Sequence, residues 1–93
     1  MDPVGETISF RGLKYGKFEN NAQIAQQLKS VMRASVAWGA LSDDTAEALD
    51  MIATKISRIL AGDPSYIDSW HDIQGYAKLI EDRLTKEKDC NVY

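Results

Sequence analysis

The sequence predicts an all-α fold, a three-helix up-down-up bundle with a short irregular or extended N-terminal arm, completed by oligomerisation. Three observations carry that expectation. Apolar residues recur at three- and four-residue spacing over three long stretches, as helices with one buried face require. Breaks at Gly39 and Gly62-Asp63-Pro64 separate those stretches, where glycine and proline punctuate helices. The chain has 93 residues, enough for one domain but not for a thick core, and chains of this size often gain core by pairing with copies of themselves.

Residues 1–20 are expected to form the arm. Thr7-Ile8-Ser9-Phe10 alternates polar and apolar residues, which permits a short extended segment but not a sheet. Lys14-Tyr15-Gly16-Lys17 then reads as a basic loop holding an aromatic ring. The first helix is expected from Asn20-Asn21, whose side chains can cap free N–H groups. Its stripe is Ile24, Leu28, Val31, Met32, Ser35, Val36 and Trp38. The second starts at Ser42-Asp43-Asp44, with Asp44 and Glu47 in the spacing of a reciprocal cap. Its core face is Leu49, Ile52, Ala53, Ile56, Ile59 and Leu60. Gly62 ends it. The third is expected to begin near Asp63-Pro64 and to bury Ile67, Trp70, Ile73, Ala77, Ile80 and Leu84. The helical domain thus spans 21–88, with a flexible tail at 89–93.

Composition excludes some functions. The net charge is −3, so bulk nucleic-acid coating, which needs a broad basic surface, is not expected. No apolar run approaches the length of a membrane span, and the N-terminus has neither the basic nor the apolar part of a secretion signal. A single cysteine, Cys90, suits a reducing cytosol, so a cytoplasmic location is expected.

Two helices joined by a short turn fix a register. Counting back from that turn places Arg58 near Asp68 and Lys55 near Asp72. Lys55 and Arg58 share a helix face, as do Asp68 and Asp72, and Tyr76 continues the latter. One reading is a salt-bridge network that sets helix register. The other is a pocket in which Lys55 and Arg58 meet a ligand phosphate while Tyr15, Trp70 or Tyr76 stacks a base. The Lys14-Tyr15-Gly16-Lys17 loop adds cations ahead of a helix N-terminus, where anions are favoured. Glu47 and Asp50 form a pair of carboxylates at a spacing that can hold Mg²⁺. They equally suit a solvated helix start. His71 has no second histidine to make a zinc site, and no motif frames a serine nucleophile.

The blocks Arg11-x-x-x-Tyr15-Gly16, Glu47-Ala48-Leu49-Asp50-Met51-Ile52-Ala53-x-Lys55-Ile56-x-Arg58-Ile59 and Asp68-Ser69-Trp70-x-Asp72-Ile73-x-Gly75-Tyr76-Ala77 resemble a family of small phage and prophage proteins over about residues 11–84. That signature is similar to the nucleotide-modification-associated domain of phages. The resemblance implies a viral or prophage origin and a host bacterial cytosol, and it supplies no activity; together with the small size, the cations and the aromatic rings it leads to the expectation of a nucleotide or cyclic-nucleotide ligand held without catalysis. The basic loop, the hairpin register and the matched blocks together make Arg11, Lys14, Tyr15, Gly16, Lys55, Arg58, Asp68, Trp70, Asp72 and Tyr76 the expected ligand-binding residues. Sequestration of a nucleotide signal of anti-phage defence would follow, with no cofactor. A looser similarity runs to MazG-like nucleoside triphosphate pyrophosphatases, which would make Glu47, Asp50, Asp68 and Asp72 the ligands of Mg²⁺. A third reading is a phage module that inhibits a host protein through an exposed helix face.

Overall fold

The computed structural model describes residues 3–90, with side chains through Lys88. It contains four α-helices and no strand among the described residues: α1 (Pro3–Tyr15), α2 (Phe18–Arg33), α3 (Asp43–Ala61) and α4 (Ile67–Cys90). A 3-10 turn at Trp38–Ala40 joins α2 to α3. Among these residues no helix is long and apolar enough to cross a membrane.

Within the described residues, the expected irregular arm over 1–20 is therefore corrected to a helix, α1, a break at Gly16-Lys17 and the first three residues of α2. Local chemistry explains it. Pro3, with its φ preset for a helix, is followed by Glu6 in the first turn, and Lys14 lies in the last. Both charges complement the helix dipole. Thr7 donates its hydroxyl to the Pro3 carbonyl at 2.9 Å, which the four-residue alternation could not outweigh. Gly16, at φ +80, breaks the chain before α2. Asn20 and Asn21 lie inside α2, and Lys17 holds the extended cap position.

The remaining boundaries shift for similar reasons. α2 stops at Arg33, so Ser35, Val36 and Trp38 lie beyond it. Ser42, with extended backbone, precedes α3; its hydroxyl donates to Asp44 Oδ1 at 2.6 Å, and the same oxygen accepts the Thr45 N–H. The Asp44–Glu47 cap is replaced by this Ser42–Asp44 arrangement. Asp63-Pro64-Ser65-Tyr66 is a turn, not the start of α4. Asp63 Oδ1 accepts the Ser65 N–H at 2.9 Å, and the Tyr66 N–H reaches the Asp63 carbonyl. α4 runs through Asp89 and Cys90, so only residues 91–93 of the expected tail remain, and they lie outside the described residues.

The helices α2, α3 and α4 do not close into a bundle. α3 packs along both neighbours, whereas α2 and α4 scarcely meet. Contacts on opposite sides of α3 show why. Asp50 reaches Arg33 of α2 at 3.3 Å, and the Ser57 hydroxyl lies 2.6 Å from Asn21 Oδ1. Lys55 reaches Asp72 of α4 at 2.9 Å. On a helix, positions 50 and 57 project nearly opposite to 55 and 48. The result is a row of three antiparallel helices with α3 in the middle.

A row leaves little interior. Among the described residues the buried apolar ones are Ala25, Ala48, Ala53 and Ile59. Three are alanines, and together with Ser57 and Ser69, both almost fully buried, they let the helix backbones approach closely. Much of the predicted core lies open: Val31, Val36, Leu49, Leu60, Ile67, Trp70 and Leu84 are all exposed, as is Ala77. The Cα radius of gyration is 16.3 Å, against about 12 Å for a compact domain of this length.

The two broad sides of the row differ. One carries Leu49, Ile56 and Leu60 of α3, flanked by Ile24 and Val31 of α2 and by Trp70, Ala77 and Leu84 of α4. The other carries Glu47, Met51, Thr54 and Arg58, and α1 meets the row on this side. Its last turn crosses the end of α3, where Asp63 N–H donates to the Lys14 carbonyl at 2.8 Å. A Cβ on Gly16 would collide with the Ala61 carbonyl, and one on Gly62 with the backbone of Lys14 and Tyr15. Both glycines are required by this close crossing.

Candidate functional site

The crossing of α1 over the α3–α4 turn gathers cations and aromatic rings at one corner. Gly16 and Gly62 allow the backbones to touch, which drops Tyr15 beside the last turns of α3. There the Arg58 guanidinium lies over the Tyr15 ring, 4.4 Å from its centroid. Tyr66, from the turn before α4, meets Tyr15 edge to face, with centroids 5.8 Å apart and planes at 65°, the arrangement that ring quadrupoles favour. Lys14 Nζ sits 5.3 Å from the Tyr66 ring centroid. Two cations thus rest on two rings, as expected for cation–π contacts. Arg58 makes no ion pair among the described residues. Its ring contact engages the guanidinium, while among the described residues no side-chain acceptor takes up its N–H edge.

The hairpin register supplies the rest. Lys55 meets Asp72 as the count from the turn predicts, at 2.9 Å, with 11% of the lysine side chain exposed and 40% of the aspartate. The bond from Lys55 holds the Asp72 carboxyl below its ordinary pKa, with the charges of Lys55, His71 and Arg58 acting in the same direction and partial burial against it. The predicted Arg58–Asp68 pair is replaced. Asp68 instead accepts the Tyr66 hydroxyl at 2.9 Å, which raises the Tyr66 pKa, as does the loss of solvent around it.

Not all the candidate residues converge. Lys14, Tyr15, Gly16, Lys55, Arg58, Asp68 and Asp72 lie in or next to the corner. Arg11 is exposed on α1, one turn before Tyr15. Trp70 lies on the apolar side of the row, with its indole N–H donated to the Pro64 carbonyl at 2.8 Å. Tyr76 lines the groove between α3 and α4, on the order of 15 Å along the helix from Tyr66 at 1.5 Å per residue. Tyr66 was missed by sequence reasoning. Its position directly after Asp63-Pro64-Ser65 was the available signal, because a turn fixed by an aspartate aims the next side chain reproducibly. Asn21 was assigned to a cap, yet it ties the corner to the row. Its amide reaches the Tyr15 carbonyl at 3.5 Å, and its oxygen lies at the buried Ser57 hydroxyl.

The alternative set Glu47, Asp50, Asp68 and Asp72 is not drawn together. Asp50 turns to Arg33, Asp72 to Lys55 and Asp68 to Tyr66. No group of three or more His, Cys, Asp or Glu side chains among the described residues is placed to hold a metal ion. A separate cluster pins the far end of the row. Arg83 of α4 pairs with Asp44 and with Glu87 at 2.9 Å, and it donates to Ser42 and Thr45. The Ser42 hydroxyl, with help from Arg83, depresses the Asp44 pKa.

Residues 1–84 match the model of a domain of unknown function, DUF6378, and the chain belongs to that family. No curated protein and no solved structure shows significant similarity to it.

Proposed function

We propose that this member of the DUF6378 family is a small phage protein that binds a nucleotide or cyclic nucleotide without catalysis, sequestering a nucleotide signal of anti-phage defence. One observation carries the reading: the Arg58 and Lys14 cations are seated on aromatic rings, not spent on carboxylates. A guanidinium with an open N–H edge takes phosphate oxygens in a planar, bidentate fashion, and an ammonium nearby adds charge. Tyr15 and Tyr66 supply ring faces and edges for a base. Lys55 plays a different part from Arg58 and Lys14. Asp72 neutralises it, so it positions α4 beneath the corner and leaves phosphate contact to Arg58 and Lys14.

Isothermal titration calorimetry of the full chain against ATP, GTP, a panel of cyclic dinucleotides and inorganic pyrophosphate tests this. At least one nucleotide is expected to bind and to raise the melting temperature, as a ligand that prefers the folded state must. Arg58→Gln should weaken that binding at least about tenfold, or roughly 1.4 kcal/mol, while Lys78→Ala, distant on α4, leaves it unchanged. Flat titrations across the panel would refute the proposal. Binding of pyrophosphate as tight as that of the nucleotides would remove the aromatic rings from it.

A further inference from the structure

We infer that the apolar side of the helical row is covered by a second copy of this chain, two rows stacking face to face into a two-layer dimer. Domains are stable when at least two layers of secondary structure bury a shared core. This chain supplies one layer. Its apolar side presents Val31, Leu49, Leu60, Trp70 and Leu84, exposed by 71%, 39%, 65%, 52% and 52%. Toward the Leu84 end of that side runs a groove between α3 and α4, ≈ 420 Å³ in volume, in which Glu81 is the only charged lining residue.

Area identifies the occupant. The chain exposes 6947 Å², whereas a compact folded monomer of its size exposes about 5,400 Å². The excess, on the order of 1,500 Å² per chain and spread over the whole elongated chain, α1 included, is of the size that each subunit of an obligate dimer buries. The side is also suited to pairing with itself. Its groove carries a single charged residue, Glu81, and its exposed large residues are apolar, so an antiparallel two-fold stacking opposes apolar residues to apolar residues and keeps the two Glu81 side chains at opposite ends. Leu60 and Trp70 lie at one end and Leu84 at the other. An antiparallel stacking therefore places the larger exposed side chains of each row over the α3–α4 groove of the other. The proposal is independent of nucleotide binding, because Arg58 and its rings lie on the opposite side.

Sedimentation velocity and native mass spectrometry of the full chain test it. The expected mass is twice that of the chain across the micromolar range. Val31→Glu and Leu60→Glu, at positions that a single row leaves in water, should convert the dimer to monomer. Arg58→Gln should leave its mass unchanged. Trp70 gives a second readout that does not require the charged variants to fold. In Trp38→Phe, the emission of Trp70 should shift to the blue, and acrylamide quenching should slow, as concentration rises through the association range. A monomer at every concentration overturns the inference, as does an unchanged dimer in both glutamate variants or a Trp70 that stays water-accessible within the dimer.

Discussion

Replacing Asp72 with asparagine separates the charge of the Lys55–Asp72 pair from its shape. Lys55 is one of three buried polar residues among those described, and its side chain is only 11% exposed, whereas Asp72 remains 40% exposed. Breaking a fully buried pair costs about 3–5 kcal/mol, because a charge is left without a partner. Breaking an exposed one costs about 0.2–1 kcal/mol. The asymmetry here puts Asp72→Asn between these limits, at about 2 kcal/mol. For a domain of this size, that is a fall of roughly 8–16 °C in melting temperature. Lys55→Met keeps the aliphatic stem packed and removes the buried charge, so it should be close to neutral, and Asp72→Asn in that background should cost little. The pH dependence carries a sign. The folded Asp72 carboxyl titrates below its ordinary value, chiefly because Lys55 bonds to it. Its contribution is complete above the unfolded carboxylate pKa, near 3.9, and is lost as pH falls through the lower folded value. Wild type and Asp72→Asn should therefore converge in acid and diverge toward neutrality. Urea unfolding at one fixed protein concentration measures all four species. A loss under about 0.5 kcal/mol for Asp72→Asn, the level of an exposed pair, would refute the reasoning. So would a Lys55→Met variant as unstable as Asp72→Asn.

Three further substitutions test the backbone and the buried polar link. Gly62→Ala forces a Cβ into the Lys14–Tyr15 backbone and should cost at least about 2 kcal/mol, as overpacking does. By contrast, Gly75→Ala, where a Cβ meets nothing within 4 Å, should stabilise by about 0.5–1 kcal/mol through helix propensity; thermal melts followed by circular dichroism read both. Ser57→Ala removes a fully buried hydroxyl from Asn21 and should cost about 1–2 kcal/mol, measured by denaturant titration.

What could be read in the sequence divides along physical lines. The Lys55–Asp72 pair was legible because it depends only on helix spacing and a short turn. The Arg58–Asp68 pair followed the same count and failed because two groups outside that count compete. Tyr66 claims Asp68, and Tyr15 claims Arg58. The second competitor could not be seen while α1 was read as an irregular arm. The apolar stripes of α2, α3 and α4 were identified correctly as stripes, but three amphipathic helices can close into a bundle or lie side by side. Spacing does not distinguish the two. The small residues Ala25, Ala53, Ser57 and Ser69 decide for the row, because they favour close pairwise seams over a common centre.

The crossing of Lys14–Gly16 over Ala61–Asp63 joins two points separated by half the sequence. Closing so long a loop carries an entropic penalty that is repaid only after the hairpin end exists to receive it. Helix α1, which buries none of its own residues, is therefore expected to dock last during folding and to detach first. Its amides should exchange with solvent through local opening, while those of α3 wait for global unfolding. Tyr15 leaves Arg58 whenever that opening occurs, so the corner assembles and dissolves with the docking of a single helix.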